Sequence, residues 1–283
     1  MRAVALRNIK LFFRDRSALF FSFLSVLIIL GLYMIFLGDM LREGAGSVPG
    51  VDALMNSWVM AGILAVTSVT STLGAYGIMV EDRHRGMLKD FTASPLRRRD
   101  LAGGYVASAV AIGLMMSLIT LLFAELFIVL NGGEWLSWTG WLRVIGLMAL
   151  SVLSSSSMVF LITSFIGSVN AFSSVSTIIG TLIGFLTGIY IPIGSLPSWV
   201  QVAVKLFPVS HAGALLRDVM MEEPLKQSFA GAPPETVSQF KLEMGIAFEF
   251  GSYTTSAAAS LAVLALTTII CYGLSILRLS RKG

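Results

Sequence analysis

The chain has 283 residues, of which 55% are apolar and only 13% charged, with a formal net charge of +4. The charged share is about half of that usual in a soluble domain, and the mean hydropathy is +0.83. Together these values exclude a disordered chain, a nucleic-acid-binding domain and an ordinary soluble enzyme, and leave a polytopic membrane protein. The single cysteine, Cys271, has no partner within the chain for a disulfide.

A hydrocarbon core of roughly 30 Å needs about 20 apolar helical residues. Residues 2–16 come before the first such run and read as a short amphipathic helix. Arg7, Lys10 and Arg14 fall on one stripe, and Leu6, Ile9 and Phe13 on another. Two readings fit it: a helix on the inner membrane surface that touches a partner, or a positive flank that only orients the chain. Residues 17–38 form the first predicted span. It is too long for the apolar region of a signal peptide, and no small-residue cleavage site follows, so it reads as retained. The second and third spans are predicted at 53–80 and 101–130. Residues 144–204 carry no charge and are too long for one helix. The polar break Gly167-Ser168-Val169-Asn170 divides them into a fourth span at 144–165 and a fifth at 171–191, which Pro192 and Pro197 end. An outer loop, 192–251, leads to the sixth span at 252–277. The expected fold is an all-α membrane protein of six spans, with both termini on one side.

Basic residues indicate which side. The N-terminal segment, the loop between spans two and three, and the C-terminal tail hold 14 of the 20 Lys and Arg. The other six are Arg42, Arg143, Lys205, Arg217, Lys226 and Lys241. The positive-inside rule places both termini in the cytoplasm. The +4 thus conceals a cytoplasmic side of net +9 facing 11 acids on or near the outer side.

Chemical motifs are scarce. No G-x-x-x-x-G-K-[ST] phosphate loop and no H-E-x-x-H occurs. His84 and His211 are not at ligand spacing, and no metal or other cofactor is expected in this chain. Glu125 is the one carboxylate inside a predicted span, close to its outer end. Ion-coupled carriers place charged groups near the bilayer midplane, and this chain has almost none. That favours a transporter driven by another subunit and moving a largely apolar or amphipathic substrate. An ion-coupled carrier or channel, and a scaffold for a cytoplasmic protein, are the rival classes.

The most informative segment is 81–104, EDRHRGMLKDFTASPLRRRDLAGG. It mixes four acids with six bases around apolar turns, and Ser94 can cap an element opened by Pro95. A solvated connector would explain it, and so would a folded loop docking on a soluble protein. The segment resembles the first intracellular loop of type-2 ABC transporter permeases, which share the ABCG-like membrane fold. Glu81, Asp82, Arg83, Gly86, Leu88, Ser94, Pro95, Arg98, Arg99, Asp100 and Leu101 fit that pattern. His84 stands where the family usually has an acid, and Met87 where it has a small hydroxyl residue. Ile191-Pro192 through Val200 looks like the family's re-entrant outer segment, and Phe207-Pro208-Val209-Ser210 with Leu216-Arg217 like its next signature.

The resemblance implies one permease domain over 1–283, in the inner membrane of a bacterium. Residues 1–16 would be the connecting helix and 81–100 the coupling loop, with Glu81, Arg83, His84, Arg85, Gly86, Leu88 and Phe91 receiving the ATPase. Two ABC ATP-binding subunits carrying ATP and Mg would join the permease and its second copy, or a homologous permease. The whole length is expected to be membrane domain, leaving the ATPase on a separate chain. Membrane lipid would surround the assembly, and nucleic acid would have no part. Spans two and five would line the path, through Thr67, Thr70, Ser71, Asn170, Ser173, Ser174 and Thr177. Close helix packing is the commoner role of such hydroxyls. Glu125 and Arg217 are candidates for an outer gate. The plainer readings are a carboxylate at the outer interface and a solvated Arg217–Asp218 pair.

Overall fold

The computed structural model describes residues 1–39, 49–87, 98–251 and 253–281. Helix α1, Arg2–Arg14, is followed after Asp15 by α2, Arg16–Leu32, which runs on as one π-helical stretch, Tyr33–Leu37. Long helices follow: α3, Val51–His84; α4, Arg98–Leu130; α5, Trp138–Phe165; and α6, Val169–Leu186. Shorter ones come next: α7, Ser198–Leu206; α8, Pro208–Met220; α9, Glu222–Ser228; and α10, Pro234–Glu243. Strands β1, Glu249–Phe250, and β2, Tyr253–Thr254, pair antiparallel before α11, Ala257–Arg281.

Among the described residues, α3, α4, α5, α6 and α11 are long and apolar enough to cross a membrane. Helices α7 and α8 pass that test only as a pair, and they bend by 86° at Phe207. Phe207 has an extended backbone and Pro208 opens the next helix, where its missing N–H costs no hydrogen bond. The polar break after Phe165 acts as its sequence suggests. Ile166 is extended, and the Ser168 side chain accepts from the Ala171 N–H at 3.2 Å to cap α6.

The helix of the fourth span starts at Trp138, ahead of the predicted 144, and two predicted spans are shortened. The fifth span ends at Leu186, not 191, because the chain turns at Gly188, whose φ is +67°. There the N–H groups of Ile189 and Tyr190 both reach Gly184 O, so the helix stops before Pro192 is met. The last helix starts at Ala257, not 252. The preceding residues are used by the β1–β2 hairpin around Gly251, φ +62°. Among the described residues the fold is therefore helical with one hairpin of two-residue strands.

Helix α3 is the axis of the molecule. At 34 residues it is about 50 Å long, and it packs on α1, α2, α4, α5, α6, α8 and α9. Toward its N-terminus, Leu54, Trp58, Ile63 and Leu64 meet Leu121, Ile128, Val144, Met148 and Leu216. Toward its C-terminus, Leu73, Tyr76 and Met79 meet Tyr105, Ile112, Met116, Phe160 and the α1 residues Val4 and Phe12. The end bearing α1, the C-terminus of α3 and the start of α4 carries the basic segments and is the basic end of the molecule.

Hydroxyls join the inner helices. Ser68 Oγ lies 2.8 Å from Ser151 Oγ and 3.0 Å from Ser155 Oγ, and Ser156 Oγ meets both Tyr76 OH and Tyr272 OH. Outward, α4 presents Leu118, Leu122, Phe123 and Leu126, and α11 presents Leu266, Ile269, Ile270 and Ile276. Such apolar surface is suited to hydrocarbon rather than water.

The face that α1 buries is Val4, Asn8 and Phe12, while Leu6 is exposed. That face is set by Gly104, where an added Cβ would lie 2.7 Å from Val4 Cβ. Gly104→Ala is therefore expected to force α1 away from α4 and to cost about 1–3 kcal/mol by overpacking. A fall in the thermal midpoint of the purified protein measures it, and an unchanged midpoint refutes the contact.

Candidate functional site at the basic end

At the basic end one carboxylate joins three helices. Asp82, in the last turn of α3 and buried, receives both terminal nitrogens of Arg7 from α1, Nη1 to Oδ2 at 2.6 Å and Nη2 to Oδ1 at 2.9 Å. Tyr105 of α4 donates its OH to the same Oδ2 at 2.6 Å. The hydrogen bond to Asp82 raises the Arg7 pKa above its ordinary value, outweighing the desolvation that opposes it. Beside this junction Asn8 donates to Ser108 Oγ at 3.3 Å, giving α1 a second polar tie to α4.

The expected coupling residues stand at the tip of α3. Glu81, His84 and Arg85 are exposed, and Arg85 pairs with Glu81 one turn back. Arg83 turns inward and donates to Ile166 O at 2.7 Å, fastening the α3 tip to the end of α5. Arg278 of α11 reaches the same region, donating to Ser164 O at 3.2 Å. Helix α3 ends because Gly86 takes φ +75°, with its N–H on Arg83 O. Leu88 and Phe91, with Ser94 and Pro95, lie outside the described residues.

A groove of 710 Å³ runs between α1, α3 and the start of α6. Its apolar wall comes from Leu11, Phe12, Gly74, Gly77, Ile78 and Phe172, and Arg7, Arg14, Glu81 and Arg85 lie at its polar side. Gly74 and Gly77 open it: a Cβ at 77 would sit 3.4 Å from the Phe172 ring. Sequence reasoning passed over these glycines. Their spacing of three, one turn before the acidic Glu81-Asp82 pair, is the signal that marks them.

The expected path residues separate into two groups. Thr67 and Ser71 are buried and return their hydroxyls to α3's own carbonyls, Ile63 O and Thr67 O. They pack the interior of this chain. Thr70 is half-buried and lies on the same helical stripe as Gly74, Gly77 and Glu81. On α6, Asn170, Ser173, Ser174 and Thr177 are all exposed, and Thr181 extends their stripe.

The two expected gate residues occupy different places at the opposite end. Glu125 is buried, and its Oε2 accepts the Leu136 N–H at 3.0 Å, pinning the α4–α5 connection. It lines a 350 Å³ cavity with Ser57, Glu134, Arg143, Glu222 and Glu223. At that cavity Lys226, hydrogen-bonded to Glu222, is the main cause that lowers the Glu222 pKa, with Arg143 helping. Arg217 is buried against Trp58, its Cζ 4.5 Å from the ring centre. The Arg217–Asp218 pair is not formed: Asp218 accepts from Lys241 at 2.9 Å, because the two side chains leave α8 in different directions. Trp135 and Trp138 are exposed at this end and Trp141 is half-buried. His211 bridges Ser260 Oγ and Lys205 O, at 3.0 and 2.9 Å, in a packing role.

The sequence profile of the ABC-2 type transporter family matches residues 1–221. Nodulation protein J of Rhizobium leguminosarum bv. trifolii is 26% identical over 199 residues, which cover 69% of this chain and 72% of that protein. The matched region takes in α1, the α3 tip, the long helices α2 to α6, and the bent α7–α8 pair. The chain therefore belongs to the ABC-2 type transporter family, as a multi-pass membrane permease of an ABC transporter.

Proposed function

We propose that this chain is the permease subunit of an ATP-driven exporter, acting as a membrane dimer with two ATP-binding subunits that hold the ATP and Mg. The observation that carries the reading is the junction at Asp82. It ties α1 and α4 to the tip of α3, directly beside the exposed Glu81, His84 and Arg85. A push delivered to that tip reaches three helices as one body, which is what a receiver of nucleotide-driven motion requires. In this reading α1 is the connecting helix, and 81–100 with both termini face the cytoplasm of a bacterial inner membrane. The chain is one permease domain of six spans: α2 with its π stretch, then α3, α4, α5, α6 and α11. The bent α7–α8 pair is the re-entrant outer segment.

The stripe on α6 supports the dimer. A helix with Asn170, Ser173, Ser174, Thr177 and Thr181 exposed is poorly matched to lipid. Facing the same stripe of a second copy or a homologous permease, it lines an aqueous path with Thr70. The groove beside Gly74 and Phe172 forms the inner mouth of that path, with an apolar wall and a side of mixed charge. The cargo suited to it is amphipathic: a drug, an antibiotic, a peptide or a lipid. Switching between inward and outward access would follow ATP binding in the partner. Glu125 and Arg217 serve at the outer gate.

Co-expression with the ATP-binding subunit encoded beside its gene is expected to give a stable complex that hydrolyses ATP in nanodiscs. A chain that assembles with no such subunit, or transports on an ion gradient alone, refutes the proposal. His84→Ala combined with Arg85→Ala is expected to weaken assembly with that subunit at least tenfold and to leave membrane insertion unchanged; equal assembly removes the α3 tip from the interface. Asp82→Ala removes the carboxylate that both terminal nitrogens of Arg7 and the Tyr105 hydroxyl reach, and should lower stability by about 2–3 kcal/mol. Arg7→Ala should cost less in the Asp82→Ala background than alone, a coupling that a double-mutant cycle reads directly.

A further inference from the structure

Arg217 is fully buried on α8 and meets no carboxylate among the described residues. Its Nη1 reaches Gly245 O at a long 3.5 Å, and its Nε and Nη2 have no hydrogen-bond partner there. The neighbouring acid, Asp218, is engaged by Lys241. Trp58 supplies a ring face, and its own Nε1–H is spent on Met244 O at 2.7 Å. Buried ions are ordinarily paired and fully hydrogen-bonded, because leaving water is costly and only good partners offset it. A cation–π contact alone offsets part of that cost.

The packing around the guanidinium is also tight. A Cβ on Gly62 of α3 would lie 3.1 Å from Nη2 and 2.9 Å from the Ile189 side chain. Thus α8 is pressed onto α3 with an ion in the seam that this arrangement does not satisfy. A purely structural seam gains nothing from the charge, since a methionine fills similar volume without the penalty. A seam that must open does gain, because the guanidinium recovers its hydration on separation.

We propose that Arg217 is a positioning residue for outward opening: its uncompensated charge keeps the α8–α3 seam metastable, so that the two helices part there during the transport cycle. This rests on the permease reading above.

The test uses the full chain with its ATP-binding subunit in nanodiscs, in a Cys271→Ser background. The Cβ position of Gly213 on α8 lies 3.7 Å from Ala65 Cβ on α3, which suits a disulfide. The Gly213→Cys, Ala65→Cys pair should cross-link readily at rest, and at least fivefold less when the complex is trapped with ATP and vanadate. Arg217→Met should keep the cross-link in the trapped state, with a thermal midpoint equal to or above that of the parent. If the methionine variant is not recovered, Arg217→Leu is read in the same way. ATP hydrolysis with an unchanged cross-link yield on trapping overturns this inference alone. So does a midpoint that falls in both Arg217 variants while the trapped yield still drops, which marks an ordinary core residue. No complex, or no hydrolysis, overturns the permease reading and the inference with it.

Discussion

Asp82 sits at the end of a long apolar helix, with little solvent, where a bare carboxylate is expensive. The structure meets that cost from two directions, with the bidentate Arg7 guanidinium of α1 and the phenol of Tyr105 from α4. The pairing is planar and two-pronged, a geometry lysine does not reproduce. It also fixes where α1 lies. The approach of Val4 to Gly104 and the Asn8–Ser108 hydrogen bond hold the same helix in place beside it. The groove beside α1, the exposed Glu81–Arg85 turn and the fastening of Arg83 to Ile166 O all lie within a turn of this junction on α3 or against it.

Much of the architecture was legible from hydropathy and charge, since long uncharged runs have few alternatives to a helix in lipid. The division after Phe165 was readable because Gly167-Ser168 combines a chain-breaking glycine with a capping serine. The early end of α6 was not, because hydropathy continues smoothly through Thr187-Gly188-Ile189 and only the glycine's φ marks the turn. The late start of α11 was hidden for a related reason: Tyr253 and Thr254 suit a strand, yet stand directly before an apolar run.

The candidate site was less legible, for a physical reason. A serine or threonine in a span reads the same whether it faces a path or a neighbouring helix. Thr67 and Thr70 are three residues apart, yet one is buried and the other half-open, and only the positions of α5 and α6 decide that. Charged residues gave similar trouble. Arg217 and Asp218 are adjacent and opposite in charge, which suggested a pair, but consecutive helical positions do not face each other. Nothing in the sequence near Glu125 names Leu136 as its partner, because a backbone N–H carries no residue signature.

The serine contacts between α3 and α5 have a mechanical consequence. Ser68 is bonded twice over: its hydroxyl lies 2.7 Å from Ala65 O on its own helix, and within reach of Ser151 and Ser155 across the interface. If the two helices slide, the cross-helix contacts are lost, but the Ser68 proton stays on its own carbonyl. With that proton on Ala65 O, the Ser151 and Ser155 hydroxyls are the donors to Ser68 Oγ, so sliding strands two buried donors, each costly to leave unpaired. The serine seam therefore behaves as a register lock: it sets α3 against α5 and opposes shear between them. The Asp82 junction, where displacement would expose an unpaired ion, resists the same motion.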